Sequence, residues 1–300
     1  MNGLSQMFCR NNWLTFDFDG LPKRQKHEVL NLHFNERAVE VLPLDEAAVK
    51  TAQDIGARYN NIYIAMSGGA DSEYVAKAFK IAGVPFTAIT MTCMKYSFLG
   101  EWYVDRWCEQ NGVELVKVEI HPEQLLEYSR QNLLRIKGIS WFGVTVNIIA
   151  DKVEELGGVM VTGAAPSYHP DPKLGIDKAE QGFADSFRGF MFDESDFYIE
   201  LVNPGKHPWS FFYWSPEMLA SFVSAWDTTQ TGEENKARIY GTIPRPKLRG
   251  SELFTYNYLA WQLPEYASKF EWIKFHKKFN WGVRDFAACP DKEEFLKLLT

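Results

Sequence analysis

Ile62-Tyr-Ile-Ala-Met-Ser-Gly-Gly-Ala-Asp-Ser-Glu73 decides the fold. The apolar run from Ile62 to Met66 predicts a buried strand. Ser67, Gly68 and Gly69 make a tight turn of small residues, and Asp71 and Ser72 open a helix with Val75, Ala76, Phe79 and Ala82 on one face. Two glycines let the main chain approach a ligand and present consecutive N–H groups. At a helix N-terminus such a turn is an anion site, and phosphate is its natural guest. Asp71 beside a phosphate makes sense mainly as a ligand for Mg2+, which bridges carboxylate and phosphate oxygens. The stretch lacks the Gly-x-x-x-x-Gly-Lys-Ser/Thr order of the Walker loop.

Outward from this turn the chain alternates strand and helix as far as Gly163. Leu44 to Tyr59 precedes it as an amphipathic helix. Gly83-Val-Pro breaks the chain before the strand Phe86 to Met91. The helix Glu101 to Gln110 ends at Asn111-Gly112, and Val113 to Ile120 alternates as a strand near a sheet edge does. Helical stretches at Glu123 to Arg135 and Val144 to Leu156 lead to the short strand Val159 to Gly163. The pattern predicts an α/β, doubly wound parallel sheet covered on both faces, with ligands beyond the carboxyl ends of its strands.

The composition narrows the class. Three hundred residues, 46% hydrophobic, suffice for a large packed core. No apolar stretch reaches the roughly 18–20 residues of a membrane span, and Met1-Asn-Gly-Leu-Ser is not a signal peptide, so the cytoplasm is the expected location. Cys9, Cys93, Cys108 and Cys289 are scattered, which speaks against a disulfide framework or a four-cysteine zinc site. A formal charge of −7 disfavours a broad nucleic-acid surface while leaving a local basic groove open.

The order Ser67-Gly-Gly-Ala-Asp-Ser72 after a strand resembles the pyrophosphate loop of the N-type ATP pyrophosphatases, the superfamily of asparagine synthetase, GMP synthetase, NAD synthetase and the 7-cyano-7-deazaguanine synthases. The resemblance covers roughly Ile62 to Gly163. It implies cleavage of ATP between the α- and β-phosphates, transfer of AMP to a substrate oxygen and displacement of AMP by a nucleophile. It further implies that Ala65, Ser67, Gly68, Gly69, Asp71, Ser72 and Gly163 border the ATP, and that main-chain atoms from Thr90 and Met91 to Cys93 face adenine. Relatives often follow the glycine with an acidic pair that holds magnesium. Here Ala164-Ala-Pro-Ser-Tyr-His-Pro-Asp171 follows, and Asp171 is the remaining candidate for a second ligand. The deazaguanine synthases carry a C-terminal cysteine cluster, where this chain has Cys289 alone.

Residues 1–45 read as a small β-rich appendage with strand-like runs at Trp13 to Phe18, Val29 to Phe34 and Arg37 to Leu42, too short for the glutaminase domain of some relatives. A core over 46–190 and an extension over 191–300 complete the expected division. Residues 164–188, rich in Pro, Gly, Asp and Lys, read as a loop covering the site, with His169, Lys173 and Arg188 as candidate contacts. Phe190 to Val202 suggests a hairpin turning at Asp193 to Asp196. Trp209 to Pro216 is an aromatic stripe suited to stacking a ring or, more commonly, to packing between layers. Ser215-Pro-Glu starts a helix that runs to about Trp226. Ile243-Pro-Arg-Pro-Lys-Leu-Arg-Gly250 gathers Arg245, Lys247 and Arg249 on an extended, proline-held segment. Lys247 and Arg249 resemble the late Lys–Arg segment that faces the departing pyrophosphate in asparagine-synthetase-like enzymes. Beyond Gly250 an aromatic-rich, helical part caps the core.

The expected activity is therefore an ATP-dependent, AMP-forming ligase that makes a C–N bond, asparagine-synthetase-like, with Asp71, Lys247 and Arg249 as its catalytic residues and Asp71 holding Mg2+. Its partners would be ATP, a small-molecule acceptor, and ammonia or a separate nitrogen donor, in a monomer or homo-oligomer. Two competing readings are sulfur transfer to a nucleobase and a non-catalytic ATP-binding module.

Overall fold

Three separate sheets occur among the described residues. The computed structural model describes residues 8–9, 13–19, 29–34, 39–92, 98–121, 124, 127–128, 131, 141–169, 189–191, 206–208 and 210–241. Strands β1 (Phe8–Cys9), β2 (Leu14–Asp19) and β3 (Val29–Phe34) form an antiparallel sheet in the order β1-β2-β3, with Phe16 of β2 opposite Phe8 and Leu32. Val39 to Leu42, expected within a third strand, is irregular and leads directly into a helix. Leu42 N–H donates to Ser221 Oγ at 3.0 Å, so its backbone bond goes to a distant helix and not to a ladder.

That first helix, α1 (Leu44–Arg58), buries Leu44, Ala47, Ala48, Thr51, Ala52 and Ile55 on one face, and places Asp45 and Glu46 in its first turn and Arg58 in its last. Both charge placements complement the helix dipole. Strand β4 (Ile62–Ala65) follows, then α2 (Ala70–Ile81), β5 (Thr87–Thr92), α3 (Phe98–Asn111), β6 (Leu115–Glu119), α4 (Trp141–Glu155) and β7 (Val159–Val161). The four strands are parallel in the order β6-β5-β4-β7. Ile62, Ile64, Ala88, Ile89, Met160 and Val161 are all buried, as strands covered on both faces require. Strand β6 is the exposed edge anticipated from its alternation. Its Lys117 bridges Glu101 and Asp105 of α3 at 3.0 and 2.8 Å, a charged edge that resists pairing with another chain.

The strand order contains a switch point. From β4 the chain moves outward to β5 and β6, then returns through α4 to the opposite side of β4. The carboxyl ends of β4 and β7 therefore border the crevice where doubly wound sheets bind ligands. The loop after β7 contains a strand the sequence did not reveal: β8 (Ser167–His169) pairs antiparallel with β9 (Gly189–Met191), so residues 170–188 connect two strands of a ribbon. The segment 170–188 and the expected hairpin beyond Met191 lie outside the described residues.

The aromatic stripe is packing. Phe211–Tyr213 form one turn of 3-10 helix, and Phe211, Phe212, Tyr213 and Trp214 are buried. Phe212 meets Phe222 of α5 (Pro216–Ala225) edge-on at 5.0 Å and Phe211 meets Phe79 of α2 at 6.0 Å. Ser215 caps α5 by accepting the Met218 N–H at 3.1 Å, with Pro216 in the first turn, as the sequence foretold.

The last helix among the described residues, α6 (Gly232–Tyr240), opens with a capping box between Thr231 and Glu234 and closes on Gly241 in the left-handed conformation. Asn235, fully buried, knots the α5–α6 connection. Its Oδ1 accepts from Asp227 N–H at 2.7 Å, and its Nδ2 donates to the carbonyls of Asp227, Gln230 and Thr231 at 2.7, 3.3 and 3.2 Å. Asn235→Ala leaves these buried groups unsatisfied and is expected to lower the unfolding free energy by about 1–3 kcal/mol. Chemical denaturation of the two proteins measures the difference, and an unchanged midpoint would show that the connection is held by other contacts.

Candidate active site

The turn after β4 is stapled by its own hydroxyls. Met66 N–H donates to the Ile89 carbonyl at 2.8 Å, prolonging the β4–β5 ladder. From β5 the buried Thr90 donates Oγ1–H to the Met66 carbonyl at 2.7 Å, so its side chain is committed to the turn. Gly68 has φ +79°, a conformation glycine adopts without steric cost. Ser72 reaches back from the first turn of α2: its Oγ accepts the Ser67 N–H at 3.2 Å, donates to the Gly69 carbonyl at 3.2 Å and lies 3.3 Å from Ser67 Oγ. Ser67 Oγ in turn accepts the Gly69 N–H at 3.3 Å. Ser67 and Gly69 are exposed and Ser72 is buried.

No side chain caps α2 at Gly69. Its first-turn amides thus keep the donor capacity and the positive dipole end that an anion exploits. Gly163, just beyond β7, lies directly against this turn. A Cβ there would come within 2.8 Å of Ser72 Cα, 2.9 Å of Ser72 N and 3.1 Å of the Asp71 carbonyl carbon. Only a glycine lets β7 deliver its carboxyl end so close to α2. Ala65 and Met91, the other expected nucleotide neighbours, are half-buried at or near the ends of β4 and β5.

Asp71 is held from α6. Its Oδ2 is 2.5 Å from Lys236 Nζ, and its Oδ1 accepts the Tyr240 hydroxyl at 2.8 Å. Lys236 and Tyr240 are four residues apart, hence on one face of the helix. Tyr240 is buried, and its ring stacks on Tyr74 of α2 with centroids 4.5 Å apart and planes 23° apart. The Tyr74 hydroxyl donates to Asp45 Oδ1 on α1 at 2.9 Å. Burial first, and then the charge of Asp71, raises the Tyr240 pKa well above the usual phenol value. Burial, followed by the charge of Asp45, also raises Tyr74. Both phenols are therefore donors throughout the working pH range.

Lys236 and Tyr240 were not among the residues the sequence singled out. Thr231-Gly-Glu-Glu234 followed by Gly241 carries the start and stop signals of their helix, but nothing local links it to Asp71. Lys247 and Arg249, the expected phosphate cations, lie outside the described residues, as do Cys93, Asp171, Lys173 and Arg188; of His169 the backbone alone is described. Cys108 is buried, and burial, then the charge of Asp105, pushes its thiol up to about 11, a hydrophobic rather than reactive setting.

The donor set suits magnesium in one form only. No cluster of three or more His, Cys, Asp or Glu occurs among the described residues, so a cage built from protein ligands is not offered there. Asp71 alone fits the manner in which Mg2+ is bound through one carboxylate while phosphate and water complete its shell.

No family model matches the chain, and no curated protein matches it. Among solved structures, NMN synthetase from Francisella tularensis is similar with a TM-score of 0.35 and 14% identity, over 77% of this chain and 97% of that one. The glutamine-dependent NAD+ synthetase from Acinetobacter baumannii gives 0.39 and 13%, over 82% of this chain and 46% of that one. The U34-tRNA thiolase NcsA from Methanococcus maripaludis gives 0.32 and 16%, over 78% and 76%. These are loose overall likenesses; what defines the site is the geometry of its own residues.

Proposed function

We propose that the chain is an ATP-dependent adenylating enzyme of the N-type ATP pyrophosphatase kind, forming a C–N bond on a small carboxylate or carbonyl acceptor in the cytoplasm. The observation that carries this reading is the uncapped N-terminus of α2 at the sheet's switch point, with the Asp71 carboxylate and the Lys236 ammonium side by side. Mononucleotide triphosphates need such a place: backbone donors for phosphate oxygens, a mobile cation for developing charge, and a carboxylate for a phosphate-bound metal.

The first-turn amides of α2 and the backbone of the Ser67–Gly69 turn would cradle the phosphates. Lys236 would neutralise charge gathering on the departing pyrophosphate, and Lys247 and Arg249, outside the described residues, are proposed as further cations for it. Asp71 is the residue that would hold Mg2+, which when bound screens repulsion between phosphate oxygens. An acceptor oxygen attacks the α-phosphorus, the α–β bond breaks, and pyrophosphate leaves. Ammonia, or nitrogen from a separate donor, then attacks the acceptor carbon, loses a proton and expels AMP. The chain's contribution is alignment and electrostatics, with no covalent enzyme intermediate.

The test is pyrophosphate release from ATP with Mg2+ and ammonium, across a panel of carboxylates and deazapurines, with mass spectrometry of the products. Pyrophosphate together with AMP, dependent on one acceptor, is expected; ADP with phosphate would overturn adenylation. Asp71→Asn is expected to reduce turnover by about 10²–10³-fold while the protein stays folded. Retained turnover would remove Asp71 from the mechanism, and retained ATP binding without any wild-type turnover would favour a binding module.

Lys236→Met is expected to lower kcat by about 10²-fold, with partial recovery in Lys236→Arg. Equal kcat in all three proteins would assign the phosphate charge to other cations. Gly163→Ala forces a methyl group against the backbone of α2, and about 1–3 kcal/mol of stability should be lost together with ATP affinity. Denaturation and calorimetry on the same preparation read both quantities.

A further inference from the structure

We propose that Tyr240 is a positioning residue for the phosphate site: its hydroxyl fixes the Asp71 carboxylate so that the second oxygen is presented to a cation. The inference rests on the phosphate-site reading above and adds to it a residue that touches neither nucleotide nor metal. Four observations support it. The Tyr240 hydroxyl donates to Asp71 Oδ1 at 2.8 Å, and the other oxygen, Oδ2, carries the Lys236 contact. The Tyr240 side chain is 5% exposed whereas Asp71 and Lys236 are partly open to solvent, so the anchor is buried and the charged pair faces the site. The ring is packed between aromatic neighbours: it stacks on Tyr74 at 4.5 Å and lies 6.3 Å from Phe212. Tyr74 is itself fixed through its hydroxyl to Asp45 on α1.

The arrangement divides the work between the two carboxylate oxygens. An aspartate at an exposed helix N-terminus has rotamer freedom, and a metal-bound phosphate would have to freeze it on binding. Tyr240 makes that selection beforehand. Oδ1 is taken by a neutral donor, which leaves the negative charge in place, and Oδ2 remains for Lys236 or for a phosphate-bound divalent cation. Phenylalanine at 240 keeps the stack and loses only the hydroxyl, so the role can be separated from packing.

The experiment compares the affinity for ATP with Mg2+, by calorimetry on the full-length chain, for wild type, Tyr240→Phe, Asp71→Asn and the double variant. Tyr240→Phe is expected to weaken binding about tenfold, the scale of one hydrogen bond to a charged group. In the Asp71→Asn background the same change should cost nothing further. Equal losses in both backgrounds, or none in either, would overturn the proposal.

A second cycle needs no nucleotide. Thermal unfolding of Tyr240→Phe, Lys236→Met and their combination should give single shifts of about 2–4 °C and a combined shift smaller than their sum, because both act on Asp71. Additive shifts would overturn the positioning role. Should the wild type fail to bind ATP while this cycle is coupled, the nucleotide reading falls and the hold of Tyr240 on Asp71 stands. Should ATP bind while both cycles are additive, the positioning role falls and the nucleotide reading stands.

Discussion

A carboxylate at the start of α2 must be reconciled with the anion site proposed for the same turn, and the geometry around the turn depends on how this is done. Asp71 in the first turn gains from the helix dipole, yet its charge opposes a phosphate arriving at the same amides. Lys236, 165 residues further along the chain, supplies the opposite charge at 2.5 Å. Tyr240 supplies a neutral hydrogen bond to the other oxygen. Both come from α6, so the local electrostatics of the turn are set by where α6 docks. That docking is set by Asn235 of α6, whose side chain ties the helix to the connection before it, and by the stack of Tyr240 on Tyr74.

The sheet explains why the turn suits the chemistry proposed for it. Strand β4 has β5 on one side and β7 on the other, and the chain reaches them in opposite directions. Their exits diverge, which leaves the ends of β4 and β7 facing a crevice. Gly163 closes its floor by lying against Asp71 and Ser72 without a side chain. Behind, Tyr74, Phe212, Phe222 and Trp226 form a packed aromatic wall. A rigid apolar support of this kind keeps polar groups within the narrow tolerances a site needs.

What could be read from the sequence was local. The change from a strand run to helical spacing at Ser67–Asp71 located the turn, and the alternation at Val113–Ile120 identified an edge that the Lys117 bridges bear out. Ser215-Pro-Glu announced α5 by its cap. What was not legible was non-local. Lys236 is one lysine among ordinary helix residues, and its meaning comes from a contact across most of the chain. Density of charge drew attention to Arg245, Lys247 and Arg249, whereas a single cation placed by tertiary packing leaves no such trace. The short β8 was hidden for a related reason: three residues give too few alternations to distinguish a strand from a loop. Val39–Leu42 erred the other way, because a strand-like pattern without a neighbour to pair with does not become a strand.

The Lys236–Asp71 pair is not needed to hold the molecule together. Its side chains are 30% and 24% exposed, and ion pairs open to solvent contribute at most about 1 kcal/mol. The stack of Tyr240 on Tyr74 and the neighbouring Phe212 bury far more apolar surface and would dock α6 without a lysine on it. Leucine and glutamine have much the same intrinsic helix propensity as lysine, so the helix itself does not call for a lysine at 236. What the lysine does provide is a cation with a long, mobile stem beside an uncapped helix N-terminus. On the proposed reading the ammonium would turn from Oδ2 to a phosphate oxygen, while Tyr240 and Tyr74 keep the packing of α6. Since the fold has little use for the pair, its geometry accords with the proposed role of the turn as a phosphate site.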